Sequence, residues 1–72
     1  MISTTFAVDG MRTNGDVLAV RAAMYKVAGV GGFSAEIEEQ GSQIILKHKD
    51  DVVLDPDVID RALRAAGDYS VI

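Results

Sequence analysis

Cysteine is missing from the sequence altogether. Disulfide bonds, thiolate metal sites, iron–sulfur clusters and cysteine nucleophiles are therefore excluded, whatever compartment the protein occupies. Because no covalent cross-link is available, the fold must be stabilised by packing and hydrogen bonds alone.

Long apolar runs and clusters of positive charge are missing as well. No stretch approaches the roughly 18 apolar residues that a membrane-spanning helix needs, and the N-terminus has no basic region followed by an apolar run. The formal net charge is −4, and the seven Lys and Arg residues are scattered along the chain, which leaves no basic patch for a phosphate backbone. We therefore expect a cytoplasmic protein that has neither nucleic acid nor a membrane as a partner.

What is present is the composition of a small folded domain. Of the 72 residues, 49% are hydrophobic and 25% are charged. A chain of this length buries about 60% of the surface that it exposes when unfolded, so it has room for one modest core. We expect residues 1–72 to form a single domain.

The first third of the chain predicts a strand followed by a helix. Alternating residues from Thr4 to Asp9 are typical of a half-buried strand. An apolar series with three- and four-residue spacing then predicts a helix that ends at Ala28-Gly29. The series consists of Val17, Val20, Met24 and Val27.

The middle of the chain predicts a β-hairpin. A period of two indicates two strands, joined by a turn at Gln40-Gly41-Ser42. The residues expected to face the core are Phe33, Ala35, Ile37, Ile44, Leu46 and His48. The single histidine is interpreted as a buried side chain with a local hydrogen bond, because one imidazole is not a metal site.

The last third predicts a second helix and a short edge strand. Asp55 is the expected N-cap, Pro56 the first helical residue and Gly67 the stop, with a final strand from Tyr69 to Ile72. The expected buried face of this helix carries Ile59, Ala62, Leu63 and Ala66. The order βαββαβ predicts an α+β, ferredoxin-like sandwich, a four-stranded antiparallel sheet with two helices on one face.

With its elements in this order, the chain resembles the heavy-metal-associated domains, the family of copper chaperones and of the N-terminal modules of metal-pumping ATPases. The resemblance covers almost the whole chain and implies the same fold. It is carried by Gly10-Met11, Gly29-Val30, Phe33-Ala35-Ile37, Ile59-Ala62-Leu63 and Gly67 with Tyr69.

The chain departs from this family at the metal site itself. The two positions of the family's Cys-x-x-Cys motif are occupied by Thr13 and Asp16, so the sequence is a degenerate form. Soft ions need soft donors, and a hydroxyl with a hard carboxylate excludes thiolate coordination of Cu(I). We expect no resident cofactor.

Two interpretations of Thr13 and Asp16 stay open. A threonine followed three residues later by an acid at a helix start is typical of a capping box. Alternatively, Asp16 and Thr13 form a weak site for a hard divalent cation together with Asp9 and Met11. Met11 itself is expected to pack in the core, since methionine is a flexible packing residue.

A second apolar stripe on the first helix is the other candidate site. Leu18, Ala22 and Tyr25 recur at helical spacing, away from the core series. Either they form an exposed patch for a protein partner or a homodimer, or the loop before the second helix covers them. The family resemblance implies that partners dock in this region.

The acidic residues do not form a catalytic constellation. Glu36, Glu38 and Glu39 are expected on a solvated surface, as are Asp50 and Asp51. We expect a non-enzymatic interaction or accessory module linked to metal homeostasis. The alternative is a metal-binding or metal-transport accessory protein that uses a cysteine-free site between Met11 and Asp16. An acylphosphatase-like enzyme or a small-molecule sensor finds little support, because no arginine-bearing phosphate cradle or ligand pocket is evident.

Overall fold

The computed structural model of the chain describes residues 1–39 and 41–72. Its strands pair antiparallel in the order β2-β3-β1-β4, which confirms the predicted ferredoxin-like sandwich. No helix in the described part of the chain has the length and apolar character needed to cross a membrane. The elements are β1 (Ile2–Asp9), α1 (Asn14–Met24), β2 (Gly32–Glu38), β3 (Gly41–His48), α2 (Pro56–Ala66) and β4 (Ser70–Val71).

The core lies between one face of the sheet and both helices. Phe6 of β1 pairs with Ile44 of β3, and both side chains are buried, because alternate residues of a strand point to the same face. The helices add Val20, Met24, Ile59 and Leu63 to this cluster. The outer face is largely polar and exposed, at Ser3, Thr5, Ser34, Glu36, Glu38 and Lys47.

Both helices begin where local side chains predict. The Thr13 hydroxyl accepts a hydrogen bond from the Asp16 N–H, and the Asp16 carboxylate accepts one from the Thr13 N–H, which confirms the capping box. Asp55 caps α2 by accepting from the Asp57 N–H at 2.9 Å, with Pro56 as the first helical residue.

The first helix ends earlier than its apolar spacing predicts. It ends at Met24 instead of continuing to Ala28. The chain then forms tighter turns, with hydrogen bonds between residues three apart, from Lys26 N to Ala23 O and from Val27 N to Met24 O. Gly29 follows with a φ of +93°, and the Val52 side chain packs against it. The loop before α2 thus lies against the segment that follows α1, a contact between residues far apart in the sequence.

The hairpin prediction is wrong in two details. Gly41 and Ser42 belong to β3 instead of a turn, and Gln40 lies outside the described residues. Ser42 is buried, and its hydroxyl donates to the Val8 carbonyl at 2.7 Å, which satisfies it inside the sheet. Ile37, expected in the core, is exposed because β2 is an edge strand and the residue lies near its end.

The C-terminal region shows two further differences. Ala66 is exposed although it was expected on the buried face of α2, where Ile59 and Leu63 make the deep contacts. The final strand spans Ser70–Val71 alone, and the Tyr69 side chain is buried.

The prediction for His48 is confirmed. The ring is buried, with Nδ1 3.0 Å from the Lys49 carbonyl and Nε2 2.7 Å from the Thr4 hydroxyl. Since a carbonyl can only accept, Nδ1 donates to Lys49, and Nε2 shares the second hydrogen bond with the Thr4 hydroxyl. Both ring nitrogens are thus satisfied within the fold.

Candidate functional site

The loop between β1 and α1 occupies the position of the family's metal loop. It runs from Gly10 to Thr13, and Gly10 has a φ of +103°, a conformation that favours glycine. Met11 is buried in the core cluster, which confirms its packing role and directs its thioether into the interior. The loop therefore presents Arg12 and Thr13, both exposed, at its surface.

The Asp16 carboxylate ties this loop to the other end of the chain. One oxygen, Oδ2, accepts from the backbone N–H groups of Arg12 and Thr13, at 2.9 and 3.1 Å. The other, Oδ1, accepts from the Tyr69 hydroxyl at 2.6 Å. We call the hydrogen bond between these two side chains the Asp16–Tyr69 latch. It joins the start of α1 to the connection between α2 and β4.

These hydrogen bonds shift the acidity of both partners. The Tyr69 hydroxyl, followed by the Arg12 N–H, lowers the pKa of Asp16 below its ordinary value. The same hydrogen bond to a carboxylate, reinforced by burial, raises the pKa of Tyr69. The carboxylate is therefore ionised and the phenol protonated at neutral pH, which is the combination that the latch requires.

Packing fixes the tyrosine in place. A Cβ on Gly10 would overlap the Asp68 carbonyl oxygen and lie 3.2 Å from the Tyr69 ring. A Cβ on Gly67 would lie 3.0 Å from the opposite part of the same ring. The absence of side chains at these two glycines thus leaves the space that the Tyr69 ring needs.

The donor set does not fit a soft metal ion. The chain has no thiolate, the Met11 sulfur is turned into the core, and the Thr13 hydroxyl and both Asp16 oxygens already accept hydrogen bonds. Across residues 1–39 and 41–72, no three His, Cys, Asp or Glu side chains gather closely enough to hold a metal ion. Beside the loop lies an open polar cleft, lined by Asp9, Gly10, Arg12, Asp16, Asp68 and Tyr69.

The apolar stripe on α1 faces solvent. Leu18 is 62% exposed and Tyr25 46% exposed, and Ala22 is exposed between them. Val20 and Met24, on the other side of the helix, are buried. The loop before α2 does not cover the stripe, because its apolar residues Val52 and Leu54 pack against the core instead. Of the two interpretations of the stripe, the structure therefore supports the exposed patch.

Positive charge lies beside the stripe. At 100° per residue, Arg21 falls next to Leu18 on α1, and Lys26 directly follows Tyr25 in the turn after the helix; both basic residues are exposed. The Arg21 guanidinium lies 5.4 Å from the centre of the Tyr25 ring. With Arg12 in the loop, residues 12–26 carry three of the seven basic residues and one acid, in a chain of net charge −4. We call Arg12, Arg21 and Lys26 the basic rim.

Sequence reasoning identified the stripe and the capping box but missed the rim and the latch. The rim is hidden in the sequence because its members are separated by several residues. The latch joins side chains 53 positions apart. The one signal for it is the tyrosine that follows Gly67, which the family resemblance marks without giving it a partner.

Comparison with known proteins supports the fold. No protein-family model matches the chain, and no curated protein is significantly similar to it in sequence. Solved structures do match, all at low identity. The CopZ metallochaperone superposes with a TM-score of 0.72 at 24% identity, over 99% of this chain and 100% of that one. CopP from Helicobacter pylori, in its apo form, gives 0.71 at 22% identity, over 99% and 100%.

A copper-binding domain from a P-type ATPase gives a TM-score of 0.71 at 22% identity, over 100% of this chain and 95% of that one. The predicted resemblance to heavy-metal-associated, copper-chaperone-like domains is therefore confirmed at the level of the fold. The chain has this fold without any cysteine.

Proposed function

We propose that this chain is a non-enzymatic protein-interaction module linked to metal homeostasis, which docks on a partner protein through the outward face of α1. The observation that carries the proposal is the exposed stripe of Leu18, Ala22 and Tyr25 beside the basic rim. A solvent-exposed leucine and tyrosine with a polar border match the anatomy of protein interfaces, in which a few anchors supply most of the binding energy.

The charge of the rim favours an acidic partner over a second copy of the chain. In a two-fold dimer built on α1, the basic rim of one subunit would lie across the interface from the basic rim of the other, and the like charges would repel. A partner with an apolar centre and an acidic border would instead meet Arg12, Arg21 and Lys26 with opposite charge. We therefore propose that the stripe binds a different protein, one with an acidic surface around an apolar centre.

The link to metal homeostasis rests on the fold neighbours. They include a metallochaperone and a copper-binding domain from a P-type ATPase. Since this chain offers no thiolate, it is assigned an accessory role, in which it contacts a protein of such a system without carrying Cu(I) itself.

Site-directed photo-crosslinking tests the docking surface. A photoreactive amino acid at Ala22 identifies the partner in cells, and the partner is then purified for binding measurements with the wild-type chain. We expect Leu18→Glu combined with Tyr25→Glu to weaken binding at least tenfold, because it places charge in the apolar centre. Val53→Glu is the matched control, since Val53 is a 90% exposed apolar residue outside α1. Arg21→Glu is expected to slow association and to reduce its salt dependence.

Unchanged affinity in the double glutamate variant would contradict the docking surface. Titration with Cu(I), Zn(II), Ni(II) and Ca(II), followed by amide NMR, tests the metal-binding alternative on the same protein. Saturable shifts confined to residues 11–17 and lost in Asp16→Ala would replace the proposal with a cysteine-free metal site.

A further inference from the structure

We infer that the Asp16–Tyr69 latch holds the loop Gly10–Thr13 in one conformation without any metal ion, so that the chain recognises its partner independently of metal. The part of this inference that concerns a partner rests on the proposed function. The part that concerns the loop stands on the contacts of Asp16 alone.

The hydrogen bonds of Asp16 account for the order of the loop. Backbone N–H groups at the start of a helix lack partners within the helix, and the loop's Arg12 and Thr13 N–H groups both point to Asp16 Oδ2. The remaining oxygen accepts from the Tyr69 hydroxyl. A single carboxylate thus binds the loop on one side and a buried ring on the other.

Tyr69 is a suitable anchor because it cannot move freely. Its ring is buried and fills the space beside Gly10 and Gly67, where an added Cβ would lie 3.2 and 3.0 Å from it. Gly10 is the first residue of the loop, so the ring lies against the start of the loop. The Tyr69 hydroxyl reaches Asp16, which in turn accepts from the N–H groups near the end of the loop. The loop is held at both ends by groups that belong to the chain.

The latch affects the docking surface because Arg12 belongs both to the loop Gly10–Thr13 and to the basic rim. Its backbone is fixed by Asp16, and its side chain is part of the basic rim. Leu18, the first anchor of the stripe, lies two residues beyond Asp16 on the same helix. A loop that keeps its conformation therefore keeps Arg12 at a constant position relative to the stripe.

A metal ion has no ordering role to fill in such a loop. The Asp16 carboxylate already accepts three hydrogen bonds, two at Oδ2 and one at Oδ1, so a cation bound through both oxygens would displace a backbone N–H group of the loop. Such binding would break a contact that orders the loop. Asp16 and Tyr69 are accordingly positioning residues, which act through the loop.

Amide hydrogen exchange at Arg12 and Thr13 tests the inference on the intact chain. In the wild type, we expect the same slow exchange in the presence of a chelator and in the presence of Zn(II). Asp16→Asn is expected to accelerate both amides at least tenfold, because a neutral amide oxygen is a weaker acceptor than the carboxylate and the side chain can no longer accept from Tyr69 while it accepts from the loop. Tyr69→Phe, which keeps the ring, is expected to accelerate them at least threefold.

The matched control is Tyr25→Phe, which removes a phenol hydroxyl from the exposed stripe and should leave the loop amides unchanged. Amides of Phe6 and Ile44 report in each variant that the sheet remains folded. Additive effects of Asp16→Asn and Tyr69→Phe in the double variant would overturn the inference, as would loop amides that become protected in the wild type after metal is added.

Failure of the latch and failure of the docking surface give different results. If Leu18→Glu with Tyr25→Glu leaves partner binding intact while the loop amides behave as expected, the docking surface is wrong and the latch stands. If those glutamates abolish binding but wild-type binding requires Zn(II) or is lost with a chelator, the docking surface stands and metal independence is wrong.

Discussion

At the scale of the residue, Thr13 occupies one of the two positions at which the resembled family carries cysteine. Its hydroxyl accepts from the Asp16 N–H at 3.3 Å and caps α1. We expect Thr13→Ala to lower the free energy of unfolding by about 1 kcal/mol, within the range of about 0.5–2 kcal/mol known for such caps. Urea denaturation measures this change.

Thr13→Ser is the control, because serine keeps the capping oxygen and should retain nearly all of the stability. An alanine variant as stable as the wild type would show that the cap contributes nothing here. The position would then tolerate any small residue, and the assignment of Thr13 to helix capping would be wrong.

Gly10 is constrained in two separate ways, by its φ of +103° and by the neighbouring Asp68 carbonyl. We expect Gly10→Ala to destabilise the fold by more than about 1 kcal/mol, because the methyl group adds an overlap to the strained backbone. Gly41 separates the two causes, since its φ is +143° and a Cβ there meets nothing within 4 Å.

Gly41→Ala therefore carries the backbone strain without the overlap. A smaller loss of unfolding free energy in Gly41→Ala than in Gly10→Ala is the expected result of urea titrations. Equal losses would show that the close approach of Gly10 to Asp68 costs nothing measurable.

At the scale of the element, Asp60 connects α2 to β4. Its Oδ1 accepts from the Val71 N–H at 2.9 Å, and its Oδ2 accepts from Arg64 Nε at 2.8 Å. β4 pairs with β1 over two residues, and this side-chain contact adds a hydrogen bond to that short pairing. We expect Asp60→Ala to accelerate amide exchange at Val71, while amides of the central strands remain protected.

Arg64→Gln is the comparison for this prediction. It removes the exposed ion pair and leaves the bond from Asp60 to the Val71 N–H in place. Because exposed ion pairs contribute little, the exchange of Val71 should change little in Arg64→Gln. Equal acceleration in both variants would assign the effect to the ion pair.

The elements also show which predictions the sequence can support. The starts of α1 and α2 were predicted because Thr13, Asp16 and Asp55 act on backbone groups within four residues of themselves. The end of α1 was not, since tighter turns replace the helix after Met24 at residues that include no glycine or proline to mark the change. Helical spacing placed Leu18, Ala22 and Tyr25 on one stripe, but exposure depends on which loops pass over them.

At the scale of the whole molecule, stability should depend on pH at both extremes. The pKa of Asp16 is lowered by the Tyr69 hydroxyl, and the pKa of Asp60 is lowered by Arg64 and the Val71 N–H. In the unfolded chain these carboxyls titrate near pH 4, so below that pH the unfolded state binds more protons. The free energy of unfolding should therefore fall as the pH drops below about 4.

At alkaline pH the free energy of unfolding should fall as the pH rises, the opposite of its change at acidic pH. The pKa of Tyr69 is raised in the folded state, so below about pH 10 its contribution is fully present, and it is lost as the pH rises through the folded-state pKa. Urea midpoints across the pH range check both limbs. Tyr69→Phe should weaken the alkaline dependence and Tyr25→Phe should not, and identical alkaline profiles for these two variants would contradict the role of the latch.

The pairing of the strands decides where a label attached at Met1 or at Ile72 would lie. Ile72 donates its N–H to the Ala7 carbonyl and lines the same hollow as Gly10, Met11 and Arg12. Met1 lies at the other end of β1, where Ile2 pairs with His48, and eight strand residues separate the two ends by about 25 Å. Because β4 runs antiparallel to β1, with Ser70 opposite Asp9 and Val71 opposite Val8, a fluorophore or affinity tag after Ile72 would extend past Phe6 and away from the loop, so labels at both positions leave the loop open.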